Sequence, residues 1–491
     1  MTMHLFDGAL SFSDLWTLIS WVYTLLVVVT VVALIVERRE PVRTLAWIMV
    51  ITMVPVAGIV LFFSFGLNHR KQKIFNLKET VDMAVLDKIC SEQLHDMAGE
   101  RIFSNPNLER NRDFITLLLN NNKALLTLSN RVEILRNGTE AFPSLFEAMR
   151  QAKETINIES FIINGGHLFE EMCTIIEERI REGVKVRIVY DSVGSRSLRR
   201  TDLRRLCSTG ADVRSFMPVF FTRFTSKANY RNHRKIAVID GKVAFTGGMN
   251  IADRYIDGIR GGVWRDTHLR IEGDSVKMLQ MLFAVDWQFV SGEELMADNR
   301  LFKPSTANTV VPMQIASSGP DSDWASIMQA YFAAISKAHD YIYCSSPYLL
   351  PNEAIFTALR VASLSGVDVR IVVPERSDGK IVNWASRSYI SSLLDAGVKV
   401  YLYQKGFNHS KFMLIDDQMC SIGSANLDFR SFEDDFEVQA IIYDTATTAE
   451  LKRHFLDDVA ASVEVERELW NSRSKISVLM ESLARLLGPL L

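Results

Sequence analysis

Two long apolar runs open the chain. No charged residue occurs from Leu15 to Val36 or from Leu45 to Phe65, and a short polar link separates the two runs. Each run has about 21 residues, which is enough for a helix to cross a hydrocarbon layer of roughly 30 Å. Because a helix satisfies its own backbone hydrogen bonds in lipid, the pattern predicts a transmembrane hairpin over residues 1–66. The mixed, polar stretch at 67–130 is interpreted as a connector with some helix.

After residue 130, the same series of helical and β-branched segments occurs twice in the sequence. The first copy runs through INIESFII, GVKVRIVYD and GADVRSF to HRKIAVIDGKVAFTGGMN, and the second through YIYCSSPYL, GVDVRIVVP and GVKVYLY to HSKFMLIDDQMCSIGSAN. Short β-branched runs between helical periods indicate βαβ units, and the internal repeat indicates duplicated architecture. The predicted fold is therefore α/β, with two pseudo-symmetric lobes at 131–303 and 304–491, each a mixed sheet flanked by helices.

The second lobe is predicted to end in an amphipathic helix within ISVLMESLARLLGPLL. Packing on the lobes and contact with a bilayer are both open for this helix.

Composition narrows the class of protein. The formal net charge of -3 argues against a general nucleic-acid binder, which would usually be basic. The five cysteines are widely spaced and include no CxxC pair, so the sequence predicts neither a zinc site nor a disulfide framework.

The same chemistry-bearing pattern closes both copies of the repeat. It reads His-x-Lys-x4-Asp-x6-Gly-Gly/Ser-x-Asn, with His233, Lys235, Asp240, Gly247, Gly248 and Asn250 in the first copy and His409, Lys411, Asp416, Gly423, Ser424 and Asn426 in the second. Residues two apart in an extended segment share a face, so each histidine and its lysine should face one pocket. A lysine there suits a phosphodiester, because its ammonium stabilises the non-bridging oxygens. The glycines permit close backbone approach at the next turn, and the asparagines add neutral donors.

This duplicated pattern resembles the phospholipase D superfamily, in which two such motifs meet at one active site. The segments NIESFII, RNHRKIAVIDGKVAFTGGMNIADRY, WRDTHLRI, SSPYLLPNE and GSANLDFRSF are similar to bacterial cardiolipin synthases, over roughly residues 130–450. The resemblance implies a phosphatidyltransferase of phospholipid biosynthesis. One departure is the acidic run Glu433 to Asp435, where the family usually has an apolar residue and an asparagine before Phe-Glu.

The resemblance also implies a mechanism. One histidine attacks the phosphorus of phosphatidylglycerol, glycerol leaves, and a phosphohistidine forms. The other histidine protonates the leaving group and then activates a hydroxyl of a second phosphatidylglycerol, which gives cardiolipin. Family analogy makes His233 the nucleophile and His409 the acid and base, although the nearly symmetric motifs leave the opposite assignment open.

Supporting roles follow for the other motif residues. Lys235 and Lys411 are expected to stabilise the phosphoryl oxygens, whereas Asp240 and Asp416 are expected to hold the motif loops, since each begins a turn. Two further acids, Asp266 in WRDTHLRI and Glu437 in FEVQAIIY, are each expected to orient a histidine, of its own lobe or of its neighbour.

No metal or other cofactor is implied, because the lysines supply the positive charge. The expected partners are phosphatidylglycerol and membrane lipids, not nucleic acid, and the oligomeric state is open. The expected location is the cell membrane, as a multi-pass protein with a cytoplasmic catalytic part. The alternatives are a phospholipase D-type phosphodiesterase that releases phosphatidic acid, a synthase that uses phosphatidylethanolamine as acceptor, and a non-enzymatic scaffold.

Overall fold

The computed structural model describes most of the chain. It covers residues 12–36, 41–54, 56–62, 82–98, 105–218, 230–259, 261–298, 300–305, 307–322 and 324–488. The link at 37–40, the start of the predicted connector and the last three residues therefore lie outside the described residues. The described residues divide into two compact units, one made of the apolar helices up to Phe62 and the other of everything from Asp82 onward.

The first apolar run is one continuous helix, α1 (Phe12–Val36). Its part Trp16–Val36 is the one described helix that is long and apolar enough to cross a membrane. The second run forms α2 (Pro41–Met53) and α3 (Ala57–Leu61), which are separated by a break. The second apolar run is thus divided into two shorter helices, and residue 55 between them lies outside the described residues.

Backbone geometry at the break explains how α3 follows α2. Val56 has a φ of 62°, a left-handed conformation that ends a helix. A Cβ on Gly58 would lie 2.3 Å from the carbonyl oxygen of Val50, so only glycine allows this close approach. Helices α1 and α2 pack together, and the Tyr23 hydroxyl donates to the carbonyl oxygen of Ile51 at 3.3 Å.

A mixed sheet organises the first lobe. The elements of this part of the chain are α4 (Asp82–Ala98), α5 (Pro106–Arg110), α6 (Arg112–Asn122), β1 (Asn130–Arg136), α7 (Gly138–Arg150), β2 (Thr155–Ser160), α8 (His167–Arg181), β3 (Lys185–Asp191), α9 (Arg200–Ser208), β4 (Asp212–Phe216), β5 (Ile236–Ile239), β6 (Val243–Gly247), α10 (Arg254–Asp257), β7 (Val263–Arg265), β8 (Thr267–Gly273) and α11 (Ser275–Ser291). Seven strands form the sheet in the order β1-β8-β6-β5-β2-β3-β4. Strands β2, β3 and β4 are parallel, and the other neighbours are antiparallel.

The second lobe is built on a sheet of eight strands. Its elements are β9 (Met313–Ser318), α12 (Ser326–Lys337), β10 (Tyr341–Ser345), β11 (Leu349–Leu350), α13 (Glu353–Leu364), β12 (Asp368–Pro374), α14 (Lys380–Asp395), β13 (Lys399–Tyr403), β14 (Gly406–Asn408), β15 (Phe412–Ile415), β16 (Met419–Gly423), β17 (Leu427–Asp428), α15 (Phe429–Glu433), β18 (Glu437–Ile442), α16 (Thr445–Ala460), β19 (Ser462–Glu464), α17 (Arg467–Asn471) and α18 (Lys475–Leu486). The strand order is β19-β13-β12-β10-β15-β16-β18-β9.

The two sheets repeat one topology. Read from its other edge, the first sheet has the order β4-β3-β2-β5-β6-β8-β1, which matches β13-β12-β10-β15-β16-β18-β9 strand for strand. Strand β19 is an addition at the edge of the second sheet. The predicted α/β fold with two similar lobes is confirmed, while the predicted domain limits stay a prediction.

Helix α6 belongs to the core of the second lobe, although it precedes the first lobe in the chain. Phe114, Ile115 and Leu118 are buried in the same apolar cluster as Ile327 of α12. The side chain of Asn122 accepts a hydrogen bond from the backbone of Ser317 in β9 at 2.7 Å. The end of the predicted connector is therefore a structural part of the second lobe.

The two lobes are joined by a buried interface. Strand β7 of the first lobe pairs in parallel with β14 of the second. The buried Arg265 at the end of β7 donates from Nε to both carboxylate oxygens of Asp458 in α16, at 2.9 and 3.0 Å. Apolar residues from both sheets share one cluster between the lobes. This interface fixes the position of one lobe relative to the other.

The Arg265–Asp458 ion pair gives the first testable prediction. Asp458→Ala leaves a buried guanidinium without its carboxylate, so we expect a loss of about 3–5 kcal/mol in the free energy of unfolding. Asp457→Ala is the matched control, because this neighbouring carboxylate is exposed and pairs at the surface with Arg136, which predicts a loss of at most about 1 kcal/mol. Thermal unfolding in detergent measures both, and equal losses would contradict the prediction.

Candidate active site

Each predicted histidine and lysine lies in the extended segment just before a central strand. Lys235 directly precedes β5 and Lys411 directly precedes β15. Each lysine Nζ donates to the backbone carbonyl oxygen of its own histidine, His233 or His409, at 2.6 Å. The two motifs thus have the same local geometry.

Each histidine pairs with a carboxylate of the other lobe. His233 Nδ1 lies 2.8 Å from Oε1 of Glu437 in β18, and His409 Nδ1 lies 2.7 Å from Oδ2 of Asp266 between β7 and β8. All four side chains are buried or nearly so. Of the two partners left open by the sequence, the histidine of the neighbouring lobe is the one observed. Neither lobe alone holds both members of either of these two pairs.

The two carboxylates differ in how firmly they are ionised. Burial raises the pKa of Asp266 to about 6, although the nearby Lys411 and the backbone N–H of Thr267 oppose this effect. Burial acts in the same direction on Glu437, but the charges of His233 and Lys235 and hydrogen bonds lower its pKa to about 2. Glu437 therefore stays charged over the whole neutral range, whereas Asp266 titrates close to it.

The Gly-Gly/Ser position of the motif explains part of this difference. A Cβ on Gly248 would lie 2.1 Å from Oδ1 of Asp266, so glycine makes room for this carboxylate. The matching residue Ser424 instead donates its hydroxyl to Oε2 of Glu437, and Ser431 donates to Oε1 at 2.8 Å. Hydroxyl donors stabilise the charged form of Glu437.

The preceding glycines serve the packing of the motif turns. Gly247 has a φ of 149°, and a Cβ on it would lie 2.7 Å from the backbone of His268. A Cβ on Gly423 would lie 2.2 Å from the carbonyl oxygen of Val438. Both positions need glycine because the next strand passes too close for a side chain.

Burial also acts on the bases of the site. It lowers the pKa of Lys235 to about 7 and that of Lys411 to about 8, against the attraction of the two carboxylates. Burial and the two lysine charges lower the pKa of His409 well below its ordinary value. Burial thus disfavours the charged forms of these lysines and of His409, and an anionic ligand such as a phosphodiester would stabilise them.

The motif aspartates face away from this chemistry. Asp240 accepts three backbone N–H groups, those of residues 153 to 155, each at 2.8 Å. Asp416 accepts those of residues 339 to 341 at 2.7 to 2.8 Å. This geometry agrees with the expectation that both hold loops.

The motif asparagines are likewise used inside the protein. Asn250 accepts from the backbone of Ile162 at 3.0 Å and donates to the Tyr255 hydroxyl at 2.7 Å. Asn426 donates to the Asp428 carboxylate at 2.9 Å. The sequence suggested that the side-chain N–H groups of these asparagines donate to the ligand. Each asparagine instead uses at least one of them to fix the turn after its motif.

The walls of the site break its symmetry, and the sequence analysis did not foresee this. The ring of His409 has Trp264 at 5.3 Å, Phe407 at 5.7 Å and Tyr255 at 6.0 Å between ring centroids. In the first motif, the positions that match Phe407 and Trp264 hold Arg231 and Asp435. An aromatic wall, defined as Tyr255, Trp264 and Phe407, thus lies on the His409 side alone.

The His233 side is instead charged. Arg231 lies 3.5 Å from Asp191, and Asp435 pairs with Arg430 at 3.0 Å. The acidic run of the sequence is therefore partly internal, because Asp435 is buried.

The Phe161 ring packs edge-on against His233 at 4.8 Å. The segments NIESFII and WRDTHLRI contain Phe161 and Trp264, so the signal for these aromatic contacts was present in the sequence but had no assigned role.

Among the described residues, one trio has metal-ligand spacing: His167, Asp253 and Asp257. It is largely exposed, and Asp253 already accepts the backbone N–H groups of His167 and Leu168 at 3.0 Å. Asp253 thus serves the start of α8, His167 Nε2 lies 3.2 Å from Asp257, and we assign no metal to the trio.

Comparison with known proteins agrees with this architecture. A family model described as cardiolipin synthase, PLD-like domain, matches residues 145–265 and 331–459. A second model, described as phospholipase D-nuclease N-terminal, matches residues 16–66.

Relatives named cardiolipin synthase match along nearly the whole chain. A cardiolipin synthase of Geobacillus sp. (strain WCH70) is 39% identical over 93% of this chain and 90% of its own length. Cardiolipin synthase 2 of Staphylococcus epidermidis (strain ATCC 12228) is 38% identical over 93% of this chain and 94% of its own. The crystal structure of phosphatidylserine synthase from Haemophilus influenzae Rd KW20 shares the fold, with a TM-score of 0.59 and 14% identity over 79% of this chain and 100% of that one.

The loop-holding role of the motif aspartates is testable. Asp416→Asn replaces one accepting oxygen by a donor and leaves at least one buried N–H unpaired, so we expect a loss of about 1–3 kcal/mol in the free energy of unfolding. Asp417→Asn is the matched control, since this exposed neighbour pairs at the surface with Lys452 and should lose at most about 1 kcal/mol. Thermal unfolding compares the two, and unchanged stability of Asp416→Asn would contradict the role.

Proposed function

The chain belongs to the cardiolipin synthases of the phospholipase D superfamily, and on this premise we propose that it transfers the phosphatidyl group of one phosphatidylglycerol to another. The products are cardiolipin and glycerol. The observation that carries the proposal is the cross-lobe pairing of each histidine with a carboxylate. Two imidazoles held in this way around two lysines suit a two-step exchange of one phosphodiester for another.

The hydrogen bonds define the reacting atoms. Because Nδ1 of each histidine is engaged with a carboxylate, Nε2 is the nitrogen left for substrate. In the first step His233 Nε2 forms a bond to phosphorus while the bond to the glycerol oxygen breaks, and His409 gives its Nε2 proton to that oxygen. In the second step neutral His409 takes the proton of the acceptor hydroxyl, whose oxygen bonds to phosphorus and releases His233.

The difference between the two carboxylates favours this division of roles. A phosphorylated histidine carries positive charge on its ring, and the firmly ionised Glu437 stabilises that charge beside His233. His409 must gain and lose a proton in each cycle. Burial and the two lysine charges lower its pKa well below its ordinary value, so a bound phosphodiester, whose negative charge offsets the lysines, would favour its protonated form. The same charges would oppose a permanently protonated His409.

The charges of the site balance once substrate is bound. Two lysines oppose two carboxylates, and one histidine proton opposes the single negative charge of a phosphodiester. Burial makes each of these interactions stronger than it would be in water.

The aromatic wall beside His409 reduces the access of water to the side where the acceptor hydroxyl must enter, which favours transfer over hydrolysis to phosphatidic acid.

The same proposal covers location and domain roles. We place the protein in the cell membrane with its two N-terminal apolar segments as a hairpin and its catalytic lobes, 131–303 and 304–491, in the cytoplasm. The membrane-spanning length of α1 and the packing of α2 against it support this arrangement.

Product analysis tests the reaction. With purified protein in phosphatidylglycerol vesicles, we expect cardiolipin and free glycerol, and we expect His233→Ala and His409→Ala each to lower the rate by at least about a hundredfold. His95→Ala, which changes an exposed histidine on α4, is the control that should keep the rate. Phosphatidic acid without cardiolipin would establish the hydrolase instead, and cardiolipin formed only with phosphatidylethanolamine present would change the acceptor.

A trapping experiment tests the division between the histidines. A donor such as phosphatidyl-p-nitrophenol has a leaving group that needs no proton, so His409→Ala should still form the intermediate and then release it slowly. Mass spectrometry of peptides should locate the phosphatidyl group on residue 233 in this variant and find none in His233→Ala. A phosphatidyl group on residue 409 would reverse the assignment.

The pKa shifts predict the pH dependence of kcat/KM. Below about pH 6 Asp266 becomes protonated and no longer accepts from His409, so the rate falls as pH falls. Above about pH 7 to 8 Lys235 and then Lys411 lose their charge in the free enzyme, so the rate falls again as pH rises. A bell with its maximum near pH 7 is expected, Asp266→Asn should lack the acidic limb, and a flat profile from pH 5 to 9 would contradict the assignment.

A further inference from the structure

The C-terminal helix α18 is mounted with its polar side inward. Its apolar side chains point away from the lobe, and Ile476, Leu483 and Leu486 are 75%, 50% and 76% exposed. Glu481 and Ala484 on the opposite side are 4% and 5% exposed. An amphipathic helix on a soluble domain buries its apolar side, so this orientation is the reverse of the usual one.

The inward contacts of α18 are specific and polar. The Glu481 carboxylate pairs with Arg473 at 3.0 Å and lies 3.9 Å from Arg387 of α14. One turn further along, the Arg485 guanidinium lies over the ring of Tyr389, at 4.3 Å from its centroid. These contacts fix the rotation of the helix, so the outward direction of its apolar side is set by packing.

The outward residues form one continuous stripe. With 3.6 residues per turn, six of them fall within an arc of about 120° on the helix surface. We define the α18 stripe as Ile476, Leu479, Met480, Leu483, Leu486 and Leu487. A stripe of this size is unusual on a surface that faces water alone and marks an interaction site.

We propose that the α18 stripe lies in the surface of a lipid bilayer and orients the catalytic lobes on the membrane. This inference rests on the proposed membrane location: α1 is long and apolar enough to span a bilayer, and such an anchor would make lipid the apolar partner always within reach. Lys475 begins the helix next to the stripe, where its ammonium can contact anionic headgroups.

The position of α18 connects the stripe to the candidate active site. Its end lies beside the loop of the second motif, because a Cβ on Gly488 would contact the ring of Phe429 at 3.9 Å. Phe429 directly follows Asp428, which is bonded to the motif residue Asn426. A bilayer against the stripe would therefore bring lipid headgroups close to the turn that follows the second motif.

Fluorescence quenching from within the bilayer tests the contact directly. The full-length protein in phosphatidylglycerol vesicles is labelled with an environment-sensitive fluorophore at Leu483→Cys, in a Cys207→Ser background because Cys207 is the exposed cysteine among the five. Lipids carrying a nitroxide high on the acyl chain should quench this label several-fold more than a label at Leu456→Cys. Leu456 is a matched control because it is also an exposed leucine, on α16, which packs on other elements of the lobe.

Each outcome decides the proposal. Strong quenching at 483 with weak quenching at 456 supports it. Equal quenching at both positions overturns it, and so does a signal at 483 that depends on protein concentration but not on nitroxide lipid, which would identify a second copy of the chain as the partner. The readout is independent of catalysis, so it stands whether or not cardiolipin is the product.

A double variant separates orientation from folding. Leu479→Ser with Leu483→Ser should abolish the quenching difference, measured from a label at Leu486→Cys, and lower the rate on vesicles several-fold without changing the unfolding temperature. Leu456→Ser is the control for both measurements. Retained quenching at residue 486 in the double variant would overturn the role of the stripe.

Discussion

Each active-site histidine is held by a carboxylate of the other lobe, and the rest of the molecule depends on this constraint. His233 is oriented by Glu437 and His409 by Asp266, and in each pair the partners are in different lobes. Hydrogen bonds near 2.8 Å tolerate little displacement, so the lobes must be fixed relative to each other. The parallel pairing of β7 with β14, the buried Arg265–Asp458 ion pair and the shared apolar cluster meet this need.

The two lobes share one fold, but different residues at matching positions make the two halves of the candidate active site unequal. Serine in place of glycine at position 424 gives Glu437 a hydroxyl donor that Asp266 lacks. Trp264 and Phe407 stand where the other half has Asp435 and Arg231. One half thus has a firmly charged carboxylate in polar surroundings, and the other a weaker one beside an aromatic wall. Such a difference suits the proposed two-step exchange, which gives the two histidines different work.

Charged side chains are buried both in the candidate active site and beneath α18. At the centre, lysines and carboxylates are buried together, and their mutual attraction offsets part of the cost of removing them from water. In α18 a buried Glu481 pairs with Arg473, and the apolar residues remain outside. In both places ion pairs, which are directional, fix an orientation that apolar packing would leave free.

The sequence by itself determined the repeat, the α/β class, the two motifs and the first long apolar helix, because these depend on local periodicity and on residue types at fixed spacing. It also identified Asp266 and Glu437, but their partners lie 143 and 204 residues away along the chain. Only the packing of the lobes decided that pairing, the aromatic wall beside His409, and the membership of α6 in the second lobe. The helical period of α18 likewise predicts an apolar side but not its direction, since the direction depends on which residues of α14 and of the segment after α17 meet Glu481.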